Sequence, residues 1–364
     1  MANDVFCAVV WGPGILGLGA YPVAIDQTLL FQTLVLGMAA GVDFVVGDPW
    51  GWYHPVQAMG AVITAYSQRV LAWEKRWQLP PAVMKLAGVG LGCLLVLGSG
   101  GLSWLGLQGL GLISPWLRYP VELVLLASCF AGRSLRRAAE DVLAVLHDLP
   151  VARDRLAMYV GRDTQQLSRV DIQRAVLETV SENAIDGVLA PLFYALVGAC
   201  FGAAAPLTLA YKAASTLDSM VGYRTAPYRD LGWFSAQFED VLTWLPCRLS
   251  VLMVAVLSVR FVDSKTEQLG GSPCQVLRLC WRDARSDPSP NAGWSECAYA
   301  AALGVQLGGA NTYRGQLKVK PLLGDDSRPI TPKVIDEALW ITRWSFLIGL
   351  GLGMWSVVTF ATIW

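Results

Sequence analysis

From Leu86 to Leu117 the chain carries no charged side chain at all. A spanning helix needs about 20 mostly apolar residues, so this run alone confines the chain to a short list of folds. It is long enough for one long helix, or for a tight hairpin running on into 120–132. Further stretches read the same way: 5–25, between Asp4 and Asp26; 27–47, broken only by Asp43; 187–211; 241–262, with Arg248 and Arg260 inside it; and 344–364. These make five to seven candidate spans. Composition agrees. The chain is 54% hydrophobic and 15% charged, against about 25% charged in soluble domains. The expected fold is all-α: a polytopic integral membrane protein with amphipathic cytoplasmic helices and a broken or re-entrant segment. A net charge of zero argues against non-specific nucleic-acid binding.

Two polar regions separate the apolar runs. In 133–186, Leu135, Ala139, Val142, Leu146 and Leu149 recur at three- and four-residue steps, which predicts an amphipathic helix. Arg136 with Glu140, and Arg137 with Asp141, are opposite charges one turn apart. The basic cluster Arg133, Arg136 and Arg137 follows an apolar segment directly, which puts that region on the cytoplasmic side of the cell's inner membrane. The second region, 263–343, ends in "TPKVIDEALWITRW", where Thr331 caps a helix and Pro332 occupies its first turn. The start of the chain lacks the basic region of a cleavable signal peptide. The cysteines form no CxxC, and Cys93, Cys129, Cys200 and Cys247 read as small hydrophobes in apolar stretches.

Four polar clusters interrupt or border this apolar frame. "GDPWGWYHPVQAMG", 47–60, carries Asp48 and His54 in a stiff, proline-bounded loop. His147 sits on an amphipathic face, which leaves His54 as the imidazole available for proton transfer; the plainer reading is a structural histidine. "ETVSENAIDG" spaces Glu178, Glu182 and Asp186 by four residues, with Asn183 beside them. On a continuous helix the three carboxylates share a side. They form either a solvated acidic edge or an oxygen site for a hard divalent ion such as magnesium, held at a membrane boundary. "YKAASTLDSMVGY" brings Lys212 and Asp218 in where an apolar run ends, as a snorkelling lysine with a helix cap or as part of a polar pocket. "WRDARSDPSPNAG" sets Arg282 and Arg285 one turn apart before the rigid turn Asp287–Asn291. This is either an ordinary surface turn or a fork for phosphate or carboxylate oxygens. No GxxxxGK[ST], HExxH or GxSxG motif accompanies them.

"GDPWGWYHPVQAMG", "SENAIDGVLAPLFYAL", "YKAASTLDSMVGYR" and "RDARSDPSPNAGWSECAYAAALGVQLGG" resemble, in this order, segments of the adenosylcobinamide-phosphate synthase family. The resemblance covers 28–364 as one membrane-embedded catalytic domain and leaves 1–27 as an N-terminal extension, either a tail or an extra membrane segment. It implies amide formation between the free carboxylate of adenosylcobyric acid and aminopropanol phosphate, or aminopropanol, with ATP and magnesium. Carried over, Glu178, Glu182 and Asp186 would hold magnesium, with Asn183 supporting them. Lys212, Arg282, Arg285 and Asn291 would bind the nucleotide or the carboxylate. Asp48, His54 or Asp218 would act as base or orient substrate. Two positions depart from the family pattern: Ser215 stands where asparagine is usual, and Asp287 where a basic residue or histidine is common. Self-association is left open. The competing expectation is a transporter with charged residues lining its path. A membrane phosphoalcohol transferase would need a dense aspartate motif that the sequence lacks. A single span at 187–211 would put Lys212 and Asp218 on the face opposite Glu178, so one shared site requires a break in that segment, which Pro191, Gly198, Gly202 and Pro206 permit.

Overall fold

A computed structural model describes residues 27–47, 54–261 and 271–363. The expectations for 5–25, for the N-terminal extension and for Asp48 lie outside these residues. The described chain is helical apart from one β-hairpin. Its elements are α1 (Gln27–Val45), α2 (Pro55–Trp77), α3 (Pro81–Ile113), α4 (Pro115–Ala127), α5 (Gly132–Ala144), α6 (Leu149–Ala157), α7 (Arg169–Ala184), α8 (Ala190–Ala199), α9 (Ala204–Val221), α10 (Trp233–Leu257), α11 (Pro273–Asp283) and α12 (Ala292–Leu303). Strands β1 (Leu307–Tyr313) and β2 (Gln316–Leu323) follow, then α13 (Pro332–Ile363).

Four helices among the described residues are long and apolar enough to cross a membrane: Pro81–Ile113, Arg169–Ala199, Trp233–Phe261 and Pro332–Thr359. A shorter apolar helix covers Leu30–Val45. The protein is thus an all-α polytopic membrane protein by architecture. The uncharged run from Leu86 resolves into α3 and the start of α4. Ser114 closes α3 through its amide to the Leu110 carbonyl at 2.8 Å and caps α4 by accepting from Trp116 N. Helix α4 then packs back along α3. Thr331 caps α13 as expected, accepting from Val334 N at 3.4 Å.

One expected span is corrected. The run 187–211 does not cross once. Helix α7 continues through a π-helical turn at Ile185–Leu189 into α8, the most enclosed of the four long helices. The chain then reverses over 200–203 and α9 packs back on α8. The reversal needs Gly202 at φ +69° and Gly198, whose added Cβ would sit 2.5 Å from the Ala203 carbonyl oxygen. Charge-free sequence hides this turn because both arms of the hairpin are apolar. The reversal removes the topological objection to a shared site: α9 returns toward the end of α8 from which α7 arrives.

The amphipathic reading of 133–146 holds. Leu135, Ala139, Val142 and Leu146 are buried in one cluster with α7 and α12 residues, and Leu149 packs against it. Arg136 pairs with Glu140 at 2.7 Å. Asp141, however, turns to Arg155 at 3.6 Å and to the Tyr159 hydroxyl at 3.0 Å, rather than to Arg137. Of the cysteines, Cys129 and Cys247 are buried, Cys200 is half-buried and Cys93 is exposed.

The β-hairpin was not expected. It is antiparallel, with a register shift between Leu307 and Gly309. Arg314 at φ +51° and Gly315 at φ +76° form its turn, the two positive φ values that a tight hairpin requires. Asp163 holds the turn, accepting from Arg314 N at 3.0 Å and Gly315 N at 2.7 Å.

Candidate active site

The stripe on α7 starts one turn earlier than the acidic spacing suggested, at Arg174. Glu178 is buried, and its carboxylate is taken up by three partners. Oε2 accepts from Arg162, Oε1 accepts from the Gly308 amide at 3.0 Å, and Arg174 Nε stands 3.9 Å from Oε1. Gly308 can aim its amide inward because it sits in the β-bulge at φ +90°, a conformation where any Cβ would run into the Pro321 carbonyl. Arg162 also donates to Asn311 Oδ1 at 2.9 Å. The expected three-carboxylate set is therefore not assembled: Glu178 belongs to an arginine–hairpin network, and its two neighbours on the stripe do not. Among the described residues no group of three or more His, Cys, Asp or Glu lies at metal-ligand spacing.

Glu182 and Asp186 face a second, acidic group. The charges of Glu239, Glu182 and Asp218 all act on Asp186, and Lys212 on α9 stands near enough to offset part of that repulsion. Asp186 lies in the π-helical turn, a distortion that recurs at functional sites. Glu239 accepts from the Thr243 hydroxyl, which is also 3.0 Å from the buried Tyr211 hydroxyl. Asp218 Oδ1 is buried without a hydrogen-bond partner among the described residues. Asp240 pairs with Arg224 at 3.9 Å. A cleft of about 440 Å³, lined by Arg224, Gln237, Asp240, Val241, Trp244 and Pro290, opens beside this group.

The segment 281–293 reaches both groups. Its turn meets α10, where Asn291 donates to the Asp240 carbonyl at 2.8 Å and accepts from Arg248 at 3.0 Å. Arg224 donates to the Pro288 carbonyl. Arg248 in turn lies over the Trp244 and Trp294 rings. Its first half meets the hairpin, where Arg282 binds Asp283 at 2.5 Å and Asp325 at 2.8 Å, and Asp283 accepts from Gly324 N. Arg285 does not join Arg282 in a fork: its guanidinium stacks on Trp281, 3.5 Å from the ring centroid. Asn183 donates to the Thr179 carbonyl within its own helix. His54 caps α2, its Nδ1 accepting from Val56 N at 3.2 Å.

Sequence reasoning missed Arg162, Glu239, Glu296 and Lys320. Glu296 on α12 is fully buried, with Lys320 Nζ from β2 at 3.0 Å. Burial pushes its carboxyl up to about 8; Lys320 pulls it down, and Glu182 and Glu178 push it back up. Glu182 is the common neighbour, acting on Asp186, Asp218 and Glu239 on one side and on Glu296 and Lys320 on the other. The two polar groups form one continuous charged region.

A family model described as "CobD/Cbib protein" matches residues 36–342. The chain belongs to the CobD/CbiB family. That is the adenosylcobinamide-phosphate synthase family, which the four sequence segments resemble. The chain is 48% identical over 338 residues to "Cobalamin biosynthesis protein CobD" of Synechocystis sp., covering 91% of this chain and 94% of the relative. It is 40% identical over 313 residues to "Cobalamin biosynthesis protein CbiB" of Salmonella arizonae, covering 85% and 93%. It is 40% identical over 317 residues to "Cobalamin biosynthesis protein CobD" of Photorhabdus laumondii, again covering 85% and 93%. No solved structure matches.

Proposed function

We propose that this membrane protein acts in cobalamin biosynthesis by joining the free carboxylate of adenosylcobyric acid to the amine of aminopropanol phosphate, or of aminopropanol, in an ATP-dependent amide ligation. Family membership and the names of the relatives support the pathway. The single observation that carries the chemistry is the position of Glu182, between an acidic group open to a cleft and a buried lysine–carboxylate pair. A carboxylate does not acylate an amine at neutral pH until its oxygen has become a leaving group. The site must therefore hold a polyphosphate, an acid and an amine together, and proximity of this kind lowers a bimolecular barrier by several kcal/mol, up to ~11.

The donor set suits magnesium. It consists of hard carboxylate oxygens in excess over cations, and it includes the partnerless, buried Asp218 Oδ1. Magnesium keeps several of its waters and takes only one or two protein carboxylates together with substrate phosphates, so a three-carboxylate cage is not required. Glu182 and Asp218 would hold it beside Asp186, and bound there it would neutralise triphosphate charge. Lys212 and Arg224 supply positive charge next to those carboxylates and would meet phosphate oxygens; Asn291 ties the turn that carries the cleft residue Pro290 to α10. Arg282 and Arg285 are exposed and suit a role in capturing anions rather than at the reacting atoms. Asp48 and His54 remain in this reading as groups that orient substrate. The reading puts the site on the cytoplasmic side of the inner membrane, the side to which Arg133, Arg136 and Arg137 assign the adjoining region.

The test is incubation of the purified protein with adenosylcobyric acid, aminopropanol phosphate and magnesium–ATP, with mass measurement of the corrinoid. The expected product is the amide, formed only with ATP. Absence of product, or equal product without ATP, refutes the proposal.

A further inference from the structure

Glu296 has one oxygen with a partner and one without. Oε1 accepts from Lys320 Nζ at 3.0 Å. Oε2, on a side chain that is fully buried, has no hydrogen-bond partner among the described residues. A buried carboxylate oxygen lacking a donor is costly unless something supplies one. The surroundings define what that something is. Arg162 is committed to Glu178, and Arg174 to Asp171 and the Ala310 carbonyl. Glu182 adds negative charge with no ion-pair partner among the described residues, and both glutamates act on Glu296. The position therefore favours a cation. It does not favour a divalent metal, because the Lys320 ammonium already occupies the other oxygen of the same carboxylate and no cluster of three ligands surrounds it. What fits is a singly charged N–H donor, which describes a primary ammonium group.

We propose that Glu296 is the docking carboxylate for the amino group of the acyl-acceptor substrate, and that Lys320 is the positioning residue that holds it. This deepens the ligase reading and rests on it. The placement is coherent with that reading. The Glu182 charge acts both on Glu296 and on the acidic group assigned to metal and nucleotide, so the two subsites would share it as a neighbour.

The experiment uses the full-length protein in detergent. In Glu296→Gln, the KM for aminopropanol phosphate and for aminopropanol is expected to rise at least tenfold, while the KM values for adenosylcobyric acid and ATP stay within twofold. An unchanged KM for both amines, or a lower KM for the phosphorylated amine, would show that no ammonium docks at this carboxylate and overturn the assignment. A fall in kcat alone, or a parallel rise in every KM, would mark a structural role and overturn it too. If the single variant does not fold, Glu296→Gln with Lys320→Met removes the pair as a neutral unit; a folded double variant with an unchanged amine KM overturns the proposal. The subsite can also fail or stand apart from the reaction. Calorimetry with aminopropanol phosphate alone should give binding to wild type that Glu296→Gln loses, and retained binding, or none to wild type, refutes it.

Discussion

Replacing Arg162 with methionine isolates the buried ion pair beneath the hairpin. Arg162 and Glu178 side chains are 7% and 2% exposed, so the pair is shielded from solvent and its loss is not damped as at a surface. Removing one member of a buried pair costs ~3–5 kcal/mol, because the other charge stays behind without its counter-charge. Two features move the expectation within that range. Arg174 Nε is already 3.9 Å from Oε1 and the Gly308 amide remains bonded, which lowers the cost. The lost bond to Asn311 Oδ1 restores ~1 kcal/mol. Arg162→Met should therefore destabilise by about 3–4 kcal/mol. Pairing it with Glu178→Met removes both charges, and such apolar replacement is often close to neutral, so the double variant should recover at least ~2 kcal/mol over Arg162→Met. Reversible denaturant unfolding in detergent, followed by the fluorescence of the 15 tryptophans, measures both. A single variant within ~0.5 kcal/mol of wild type, or a double variant whose loss equals the sum of the singles, would show that the pair is not coupled as argued.

Glu182→Gln should lower ligation by about 100-fold or more while unfolding unchanged, since it removes the charge shared by both halves of the site; undiminished turnover by the purified variant would end its central role. Gly308→Ala should destabilise by ~1–3 kcal/mol, because its positive φ and the Pro321 carbonyl leave no room for a methyl group, and an unchanged melting temperature would refute that. Glu296 carries a pH signature. Burial raises its carboxyl from 4.5 to about 8, so between those values the native state keeps a proton that the unfolded chain releases. Stability from this group is complete below about 4.5 and falls as pH rises toward 8, by at most ~1.4 kcal/mol per pH unit. The melting temperature should decline over that window and decline less in Glu296→Gln; parallel slopes would show that the carboxyl is not the source.

The parts of this protein that could be read in its sequence are those set by local chemistry. An uncharged run predicts a helix wherever it lies, and α3 obeys; Thr331 and Pro332 start α13 because capping depends on adjacent residues. What could not be read depends on what an element meets. Spacing by four puts Glu178, Glu182 and Asp186 on a helix stripe but cannot reveal that Arg162 arrives from a preceding loop and withdraws Glu178 from the set. Nor can it foresee the π-helical turn that shifts Asp186 relative to its neighbours. Glu239, beside Asp240, and Lys320, two residues after Lys318, stand outside the four quoted segments, and Glu296 lies inside the last of them with no spacing that sets it apart from its neighbours. The hairpin is the exception, because its signal was present: Tyr313–Arg314–Gly315–Gln316 is a glycine turn between two strand-like runs. Recognising it would have changed the chemical reading most, since that hairpin delivers both the Gly308 amide to Glu178 and the Lys320 ammonium to Glu296. The motifs supply the carboxylates, but a segment outside the apolar bundle determines which of them remain available to bind a cation.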